Sequence, residues 1–207
     1  MPAMCMRFWP GWSWLKKAFA GRTFGAVRTA GFRRVSAKPA WGNAGSHAGG
    51  ALLDLHIHDT DFVNFLFGRP VSVYSTGVVD ASGAVNHVLT QYFYPHGPAV
   101  HAEGSWLLPD GFNMAFTVHC ERAMIDFDLS RGTDALQVHE NGKKTRTVKL
   151  KKTDGYAEEI AYFVNCVANG VNPSVVTAQD GLTALEICAA EEKSVRTGTV
   201  VRLRTQL

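Results

Sequence analysis

The stretch from Gly49 to Gly68 constrains the fold more than any other part of the chain. It opens with two glycines and continues with apolar residues at the spacing of one helical face: Leu52, Leu55, Phe62, Val63 and Leu66. Such a stripe is typical of an amphipathic helix that packs against a core, and a glycine after it is a common stop signal. The pattern therefore predicts a helix that ends at Gly68.

A second face of this predicted helix carries groups suited to proton transfer. Asp54 and His58 are four residues apart, so on an α-helix one stands above the other, with Asp61 beside them. His56 lies about 200° round the helix from each and is expected to point into the packing. A first-turn carboxylate is favoured by the helix dipole, and histidine suits acid–base chemistry near neutral pH. The spacing predicts that Asp54 and His58 face a cleft, where Asp54 orients His58 or shares a substrate hydroxyl with it.

Two other interpretations of the same stretch stay open at this point. Helical Asp and His residues four positions apart are common as solvated pairs, which contribute little to stability. The sequence Asp54-Leu55-His56-Ile57-His58 also looks like the metal-binding start of an amidohydrolase barrel. On a strand, His56 and His58 would point to the same side and could share a metal ion.

The hydrophobic period becomes two after Pro70, which indicates strands. Short turns separate five alternating segments, at residues 71–76, 87–94, 100–107, 114–120 and 123–129. Consecutive strands with short links favour an antiparallel meander, and Asn141-Gly142 predicts a hairpin between residues 136–138 and 145–150. Several strands are apolar on both faces, so both faces of the sheet should be covered. We expect an α+β fold: a large, mostly antiparallel sheet with helices packed mainly on one face and a partner on the other.

Flanking segments complete the predicted fold. Residues 9–20 and 155–169 are predicted helices, residues 25–36 a strand, and Thr177 the N-cap of a last helix that ends near residue 197. In the second helix the residues expected to face inward are Tyr156, Ile160, Phe163 and Val167. The loop before the central helix, residues 37–50, is placed to line the same cleft. Its candidate substrate-binding residues are Trp41, Asn43 and His47.

Composition excludes several classes of protein. With 207 residues, 46% hydrophobic and 19% charged, the chain can bury a substantial core, and a net charge of +3 does not indicate a nucleic-acid partner. Residues 1–53 contain basic residues but no acid, yet they are rich in Trp and Phe and lack the apolar core of a signal peptide, which argues against a leader or a nucleic-acid arm. No apolar run approaches the length of a membrane span. The four widely separated cysteines predict reduced thiols in a cytoplasmic protein.

Several separate motifs, in the same order, resemble the second domain of the glucose-fructose oxidoreductase/inositol dehydrogenase (Gfo/Idh/MocA) family. The resemblance extends over nearly the whole chain. The motifs are Met-Arg-Phe-Trp-Pro at residues 6–10, the Gly-Gly-Ala-Leu-Leu-Asp-Leu-His-Ile-His-Asp-Thr-Asp segment at 49–61 followed by Val-Ser-Val-Tyr at 71–74, Glu-Gly-Ser-Trp at 103–106 and Gly-Tyr-Ala-Glu-Glu-Ile at 155–160.

The resemblance implies a function. Such enzymes join an N-terminal Rossmann domain, which binds NAD or NADP, to a C-terminal domain that supplies an Asp-x-x-x-His pair to the catalytic centre. The matching residues here are Asp54 and His58, so the resemblance implies that His58 exchanges the proton of a sugar or polyol hydroxyl and that Asp54 positions and polarises it. It also implies a homodimer or tetramer built through the open sheet face. No metal site is implied, and the β meander after residue 71 disfavours the amidohydrolase barrel, which alternates strands and helices.

The sequence also departs from the family. The Rossmann domain would precede Met6, and no Gly-x-Gly-x-x-Gly follows a strand in this chain. Ala37-Lys38-Pro39 imitates the family's catalytic-lysine motif but lies too close to Asp54, so Lys38 is interpreted as a surface loop residue. We therefore expect residues 1–207 to form a single substrate-binding and oligomerisation domain that does not bind the cofactor and is inactive alone. The alternative is a non-catalytic binding or assembly module that kept the fold.

Overall fold

The structure is a computed structural model that describes residues 1–40 and 49–204. Its helices and strands form an α+β domain around one large sheet, which confirms the predicted fold class. The helices are α1 (Pro10–Ala20), α2 (Ile57–Phe67), α3 (Gly155–Ala168) and α4 (Ala178–Thr197). The strands are β1 (Val27–Ala37), β2 (Ser72–Val79), β3 (Val85–Phe93), β4 (Ala99–Cys120), β5 (Ala123–Asp128), β6 (Leu136–Glu140), β7 (Arg146–Thr147) and β8 (Val201–Arg202).

The sheet is antiparallel at every described pairing, and its order is β7-β6-β5-β4-β3-β2-β8. Strand β4 has two arms, and β1 lies between them: Ala30 of β1 is opposite Val100 of one arm and Val118 of the other. The two arms correspond to the predicted strands at 100–107 and 114–120. The predicted meander is therefore interrupted, because a strand from the N-terminal segment occupies the middle of the sheet.

Helix α1 packs on one face of the sheet. Pro10 occupies the first turn, where its missing N–H costs no hydrogen bond, and the helix ends at Gly21. Trp12 is fully buried and packs edge-on against Phe116 and Phe127, with ring centroids 5.0 and 4.7 Å away. Aromatic packing of this kind fixes the helix on β4 and β5.

The central stretch is helical but not one regular helix. Leu52–His56 forms a π turn, in which the Ile57 N–H donates to the carbonyl of Leu52, and α2 follows directly. Leu52 packs with Val85 and Val88 of β3, whereas Phe62 and Val63 enter the main core. The helical conformation is incompatible with the strand geometry that the shared-metal hypothesis requires.

The predicted orientation of α3 is wrong. The side chains expected inside are exposed: Tyr156 by 57%, Ile160 by 63%, Phe163 by 40% and Val167 by 67%. The buried face instead contains Glu159, whose carboxylate accepts the Met4 backbone N–H at 2.7 Å. A buried acceptor with a backbone donor, rather than the apolar stripe, thus sets which side of α3 packs.

The predictions for the C-terminal half are otherwise confirmed, with shorter strands. The hairpin at Asn141-Gly142 joins β6 to β7, although β7 has only two residues. Thr177 caps α4 in a capping box with Asp180, and Gly198 ends the helix in the left-handed conformation. Among the described helices, none combines the length and apolar character that crossing a bilayer demands.

Candidate functional site

Asp54 and His58 lie on either side of the junction between the π turn and α2. Asp54 is in the middle of the π turn, and His58 is in the first turn of α2. The two residues are thus four positions apart across a change of helix type. Within the described part of the chain, no hydrogen bond joins them, so their predicted cooperation stays a prediction.

His58 is a neutral imidazole with an unused ring nitrogen. Burial and, to a smaller extent, the nearby Arg34 cation lower the pKa of His58 from its ordinary value to about 4, with Asp59 partly opposing them. Its Nδ1 atom is buried without a hydrogen-bond partner among the described residues. A neutral histidine of this kind can accept a proton or a hydrogen bond from a ligand.

Asp54 differs from His58 in its surroundings. Burial raises the pKa of its carboxyl, and no charged neighbour contributes. No described side chain bonds to it, so the carboxylate is available to a hydroxyl group. The two residues thus provide one neutral proton acceptor and one carboxylate within about a turn of helix.

Two buried ion pairs hold the helix that carries the site, and sequence analysis missed both. Arg34 of β1 binds Asp59 through Nε–Oδ2 at 2.7 Å, with side chains 4% and 0% exposed. Arg7 donates two hydrogen bonds to the Asp61 carboxylate, at 2.7 and 2.9 Å. Asp61, which helical spacing places beside the predicted Asp54–His58 pair, is therefore engaged in a buried ion pair. The sequence shows three aspartates on this helix, Asp54, Asp59 and Asp61, but no nearby residue identifies the arginines that pair with two of them.

His56 is fully buried, which confirms that it points into the packing. Its Nε2 atom is 3.3 Å from the Tyr92 hydroxyl and 3.6 Å from a Glu191 carboxylate oxygen. Tyr92 and Glu191 come from β3 and α4, more than 30 residues away in sequence. No sequence signal points to this contact.

The remaining candidates divide into two groups. Trp41, Asn43 and His47 lie outside the described residues, so their predicted substrate contacts stay predictions. Lys38 is exposed and bonds to Asp80 at 3.2 Å, as expected of a surface loop residue. Among residues 1–40 and 49–204, no cluster of three or more His, Cys, Asp or Glu side chains is arranged to hold a metal ion.

Comparison with known proteins identifies the relatives of this fold. Residues 12–126 match the model of the GFO/IDH/MocA C-terminal domain. The scyllo-inositol 2-dehydrogenase (NAD(+)) of Bacillus subtilis is 26% identical over 167 residues, 76% of this chain and 48% of that protein. The myo-inositol 2-dehydrogenase of Thermotoga maritima is also 26% identical, over 75% of this chain and 50% of its own length. The chain therefore spans about half the length of the curated relatives it matches.

Solved structures share the architecture. Levoglucosan dehydrogenase in complex with NADH and levoglucosan superimposes with a TM-score of 0.80 at 19% identity, covering 99% of this chain and 66% of that one. The UDP-N-acetylglucosamine 3-dehydrogenase of Acidithiobacillus ferrooxidans gives 0.74 at 22% identity, covering 93% and 61%. At these identities the likeness establishes the fold.

Proposed function

The chain belongs to the GFO/IDH/MocA oxidoreductase family through that family's C-terminal domain, and we propose that it is the catalytic and substrate-binding half of an NAD(P)-dependent enzyme. Its substrate is a sugar, a polyol or a related secondary alcohol. The names of the inositol and levoglucosan dehydrogenases support this class. The observation that carries the proposal is His58, a neutral imidazole with a buried, unpartnered Nδ1.

In the proposed reaction this chain handles the proton. His58 takes the proton of the substrate hydroxyl, and Asp54 accepts a hydrogen bond from the same or a neighbouring hydroxyl, which fixes the sugar. A nicotinamide supplies the hydride acceptor in such chemistry. Burial disfavours the imidazolium that forms, so it readily returns the proton to solvent or, in the reverse direction, to the product oxygen.

The described residues do not fit a dinucleotide. Every described strand pairing is antiparallel. The usual dinucleotide crevice forms at the ends of parallel strands, with the pyrophosphate at a helix N-terminus after a glycine-rich turn. We therefore assign NAD or NADP binding to a unit outside the described residues, and we propose that the isolated chain is inactive.

Fluorescence titration with NADH and NADPH, followed by turnover assays with inositols and glucose, tests whether the isolated chain binds the cofactor and is active. We expect no micromolar affinity and no turnover. Micromolar NADH affinity, or turnover that is lost in His58→Ala and retained in His119→Ala, would show that this chain holds the cofactor itself. His119 is a suitable control because its ring lies on the open sheet face, bonded to Thr29 at 2.9 Å.

The proposed binding of a sugar or polyol has a separate test. Calorimetric titration with scyllo-inositol and levoglucosan should reveal weak binding that Asp54→Asn and His58→Ala abolish. The His119→Ala variant should bind like the unchanged chain. Equal binding by all variants, or none by the unchanged chain at any millimolar concentration, would count against a polyol site at Asp54 and His58.

We also propose a homodimer or tetramer that forms through the sheet face opposite the helices. Strand alternation places Leu89, which is 43% exposed, on this face together with Tyr74 and the Arg33–Glu103 ion pair. Mixed apolar and charged surfaces of this kind suit association between copies. Light scattering should give a multiple of 22.6 kDa, and a monodisperse monomer at micromolar concentrations would refute the proposal.

A cytoplasmic location completes the proposal. All four cysteines are free thiols, and Cys5, Cys166 and Cys188 are buried. Free cysteines of this kind are typical of a reducing compartment. Fractionation of the producing cells tests this part directly, and recovery from an oxidising compartment would contradict it.

A further inference from the structure

Four buried polar side chains from different elements meet beside the candidate site, and the proposed reaction uses none of them. We call His56, Thr60, Tyr92 and Glu191 the His56 network; each of these residues is at most 2% exposed. His56 ends the π turn, Thr60 lies one turn further on in α2, Tyr92 is on β3 and Glu191 is on α4. Buried polar groups carry a free-energy cost unless they bond to one another, so a network of this kind is specific in geometry.

The donors and acceptors define the direction of the hydrogen bonds. The Thr60 hydroxyl donates to Glu191, with Oγ1–Oε distances of 3.1 and 3.2 Å, because a carboxylate only accepts. Thr60 has one proton, so at 3.1 Å it accepts from the Tyr92 hydroxyl. The Tyr92 oxygen then accepts from His56 Nε2 at 3.3 Å. This order of bonds corresponds to the Nε2–H tautomer of His56.

The network anchors one end of the π turn. A Cβ atom added to Gly104 of β4 would lie 2.5 Å from the His56 Cβ, so the His56 side chain packs directly on the strand backbone and leaves no room for a side chain at position 104. At the other end, a Cβ on Gly50 would lie 2.5 Å from the Val85 carbonyl oxygen, and Gly50 has a φ of +71° that favours glycine. The helix is thus fixed against the sheet at both ends, and the residues between these anchors adopt the wider π turn.

We propose that the His56 network sets this π turn and thereby the placement of Asp54 relative to His58. His56, Tyr92 and Glu191 are then positioning residues, which act on the site through the helix backbone without touching the substrate. The inference rests on the proposed function, in which Asp54 and His58 share one ligand. It gives a reason why the buried polar network includes His56, the last residue of the π turn. Single π turns inside helices are frequent at functional sites.

The test compares Tyr92→Phe with Tyr94→Phe in the full chain. Both changes delete one hydroxyl from the same residue type, but the Tyr94 hydroxyl donates to the Gly68 carbonyl at the far end of α2. NMR of the ¹⁵N-histidine-labelled chain reports the tautomer of His56 and the ring signals of His58, and amide exchange reports the Ile57 N–H that closes the π turn. We expect roughly tenfold faster exchange at Ile57 and displaced His58 signals in Tyr92→Phe alone.

A second matched pair covers the case in which Tyr92→Phe does not fold. Thr60→Val breaks the network, whereas Thr90→Val removes an equally buried hydroxyl that bonds to Ser75 at 2.8 Å. The inference is overturned if His56 is the Nδ1–H tautomer, or if network variants leave His58 and Ile57 unchanged. Displaced His58 signals in a chain that binds no polyol would uphold the positioning role and overturn the proposed function, so the two failures are distinguishable.

Discussion

The buried ion pair between Arg34 and Asp59 gives a quantitative test of the structure. The Arg34→Met change keeps the aliphatic stem but leaves a buried carboxylate without its partner, since the two side chains are 4% and 0% exposed. Breaking a buried pair in this way costs about 3–5 kcal/mol. In a chain of this size that loss lowers Tm by roughly 6–20 °C.

The neighbouring residue provides the control. Arg33 pairs with Glu103 at 3.3 Å, but these side chains are 47% and 30% exposed, so Arg33→Met should cost less than about 1 kcal/mol. Guanidinium chloride unfolding, followed by circular dichroism, measures both variants under the same conditions. The double change Arg34→Met/Asp59→Leu should recover most of the stability, because no charge is then left buried. Equal losses from Arg33→Met and Arg34→Met would refute the reasoning.

Three further predictions concern the helices and the site. His58 has a lower pKa in the folded chain, so the unfolded chain binds more protons between pH 6.5 and about 4, and the free energy of unfolding falls as the pH falls through this window. The His58→Gln change should remove up to roughly 3 kcal/mol of this pH dependence, as measured by unfolding curves at each pH. Ile160→Ala on the exposed face of α3 should change stability by no more than about 0.5 kcal/mol, whereas Ile187→Ala in the core of α4 should cost about 2–5 kcal/mol by denaturant titration. Loss of the capping box in Thr177→Ala should cost about 1 kcal/mol, and an unchanged unfolding midpoint would contradict the cap.

Features with local causes could be predicted from the sequence. Pro10 and Gly21 bound α1, Asn141-Gly142 turns the hairpin, and Thr177 begins α4, because each residue acts on the backbone within a few positions of itself. The period-two pattern likewise predicted both arms of β4. These elements suffice to define the α+β class.

Features that depend on distant partners could not be predicted. The orientation of α3 rests on a hydrogen bond between Met4 and Glu159, which are 155 positions apart. The insertion of β1 between the arms of β4 has no local signal, and the close approaches of Gly50 to Val85 and of His56 to Gly104 join positions that are far apart in the sequence. Asp54 and His58 were predicted because helical spacing and a family resemblance point to the same pair, whereas the arginines that pair with Asp59 and Asp61 on the same helix became visible only in the fold.

The pKa of His58 tests the central claim most directly, since a proton acceptor must be neutral when the substrate arrives. NMR titration of the histidine ring signals from pH 8 to well below pH 4 measures it in the unchanged chain, with the exposed ring of His119 as an internal reference. His58 is expected to stay neutral down to pH 5 and to titrate at about 4. Titration of His58 at or above its ordinary value of 6.5 would contradict it, because the ring would then be substantially protonated near neutral pH.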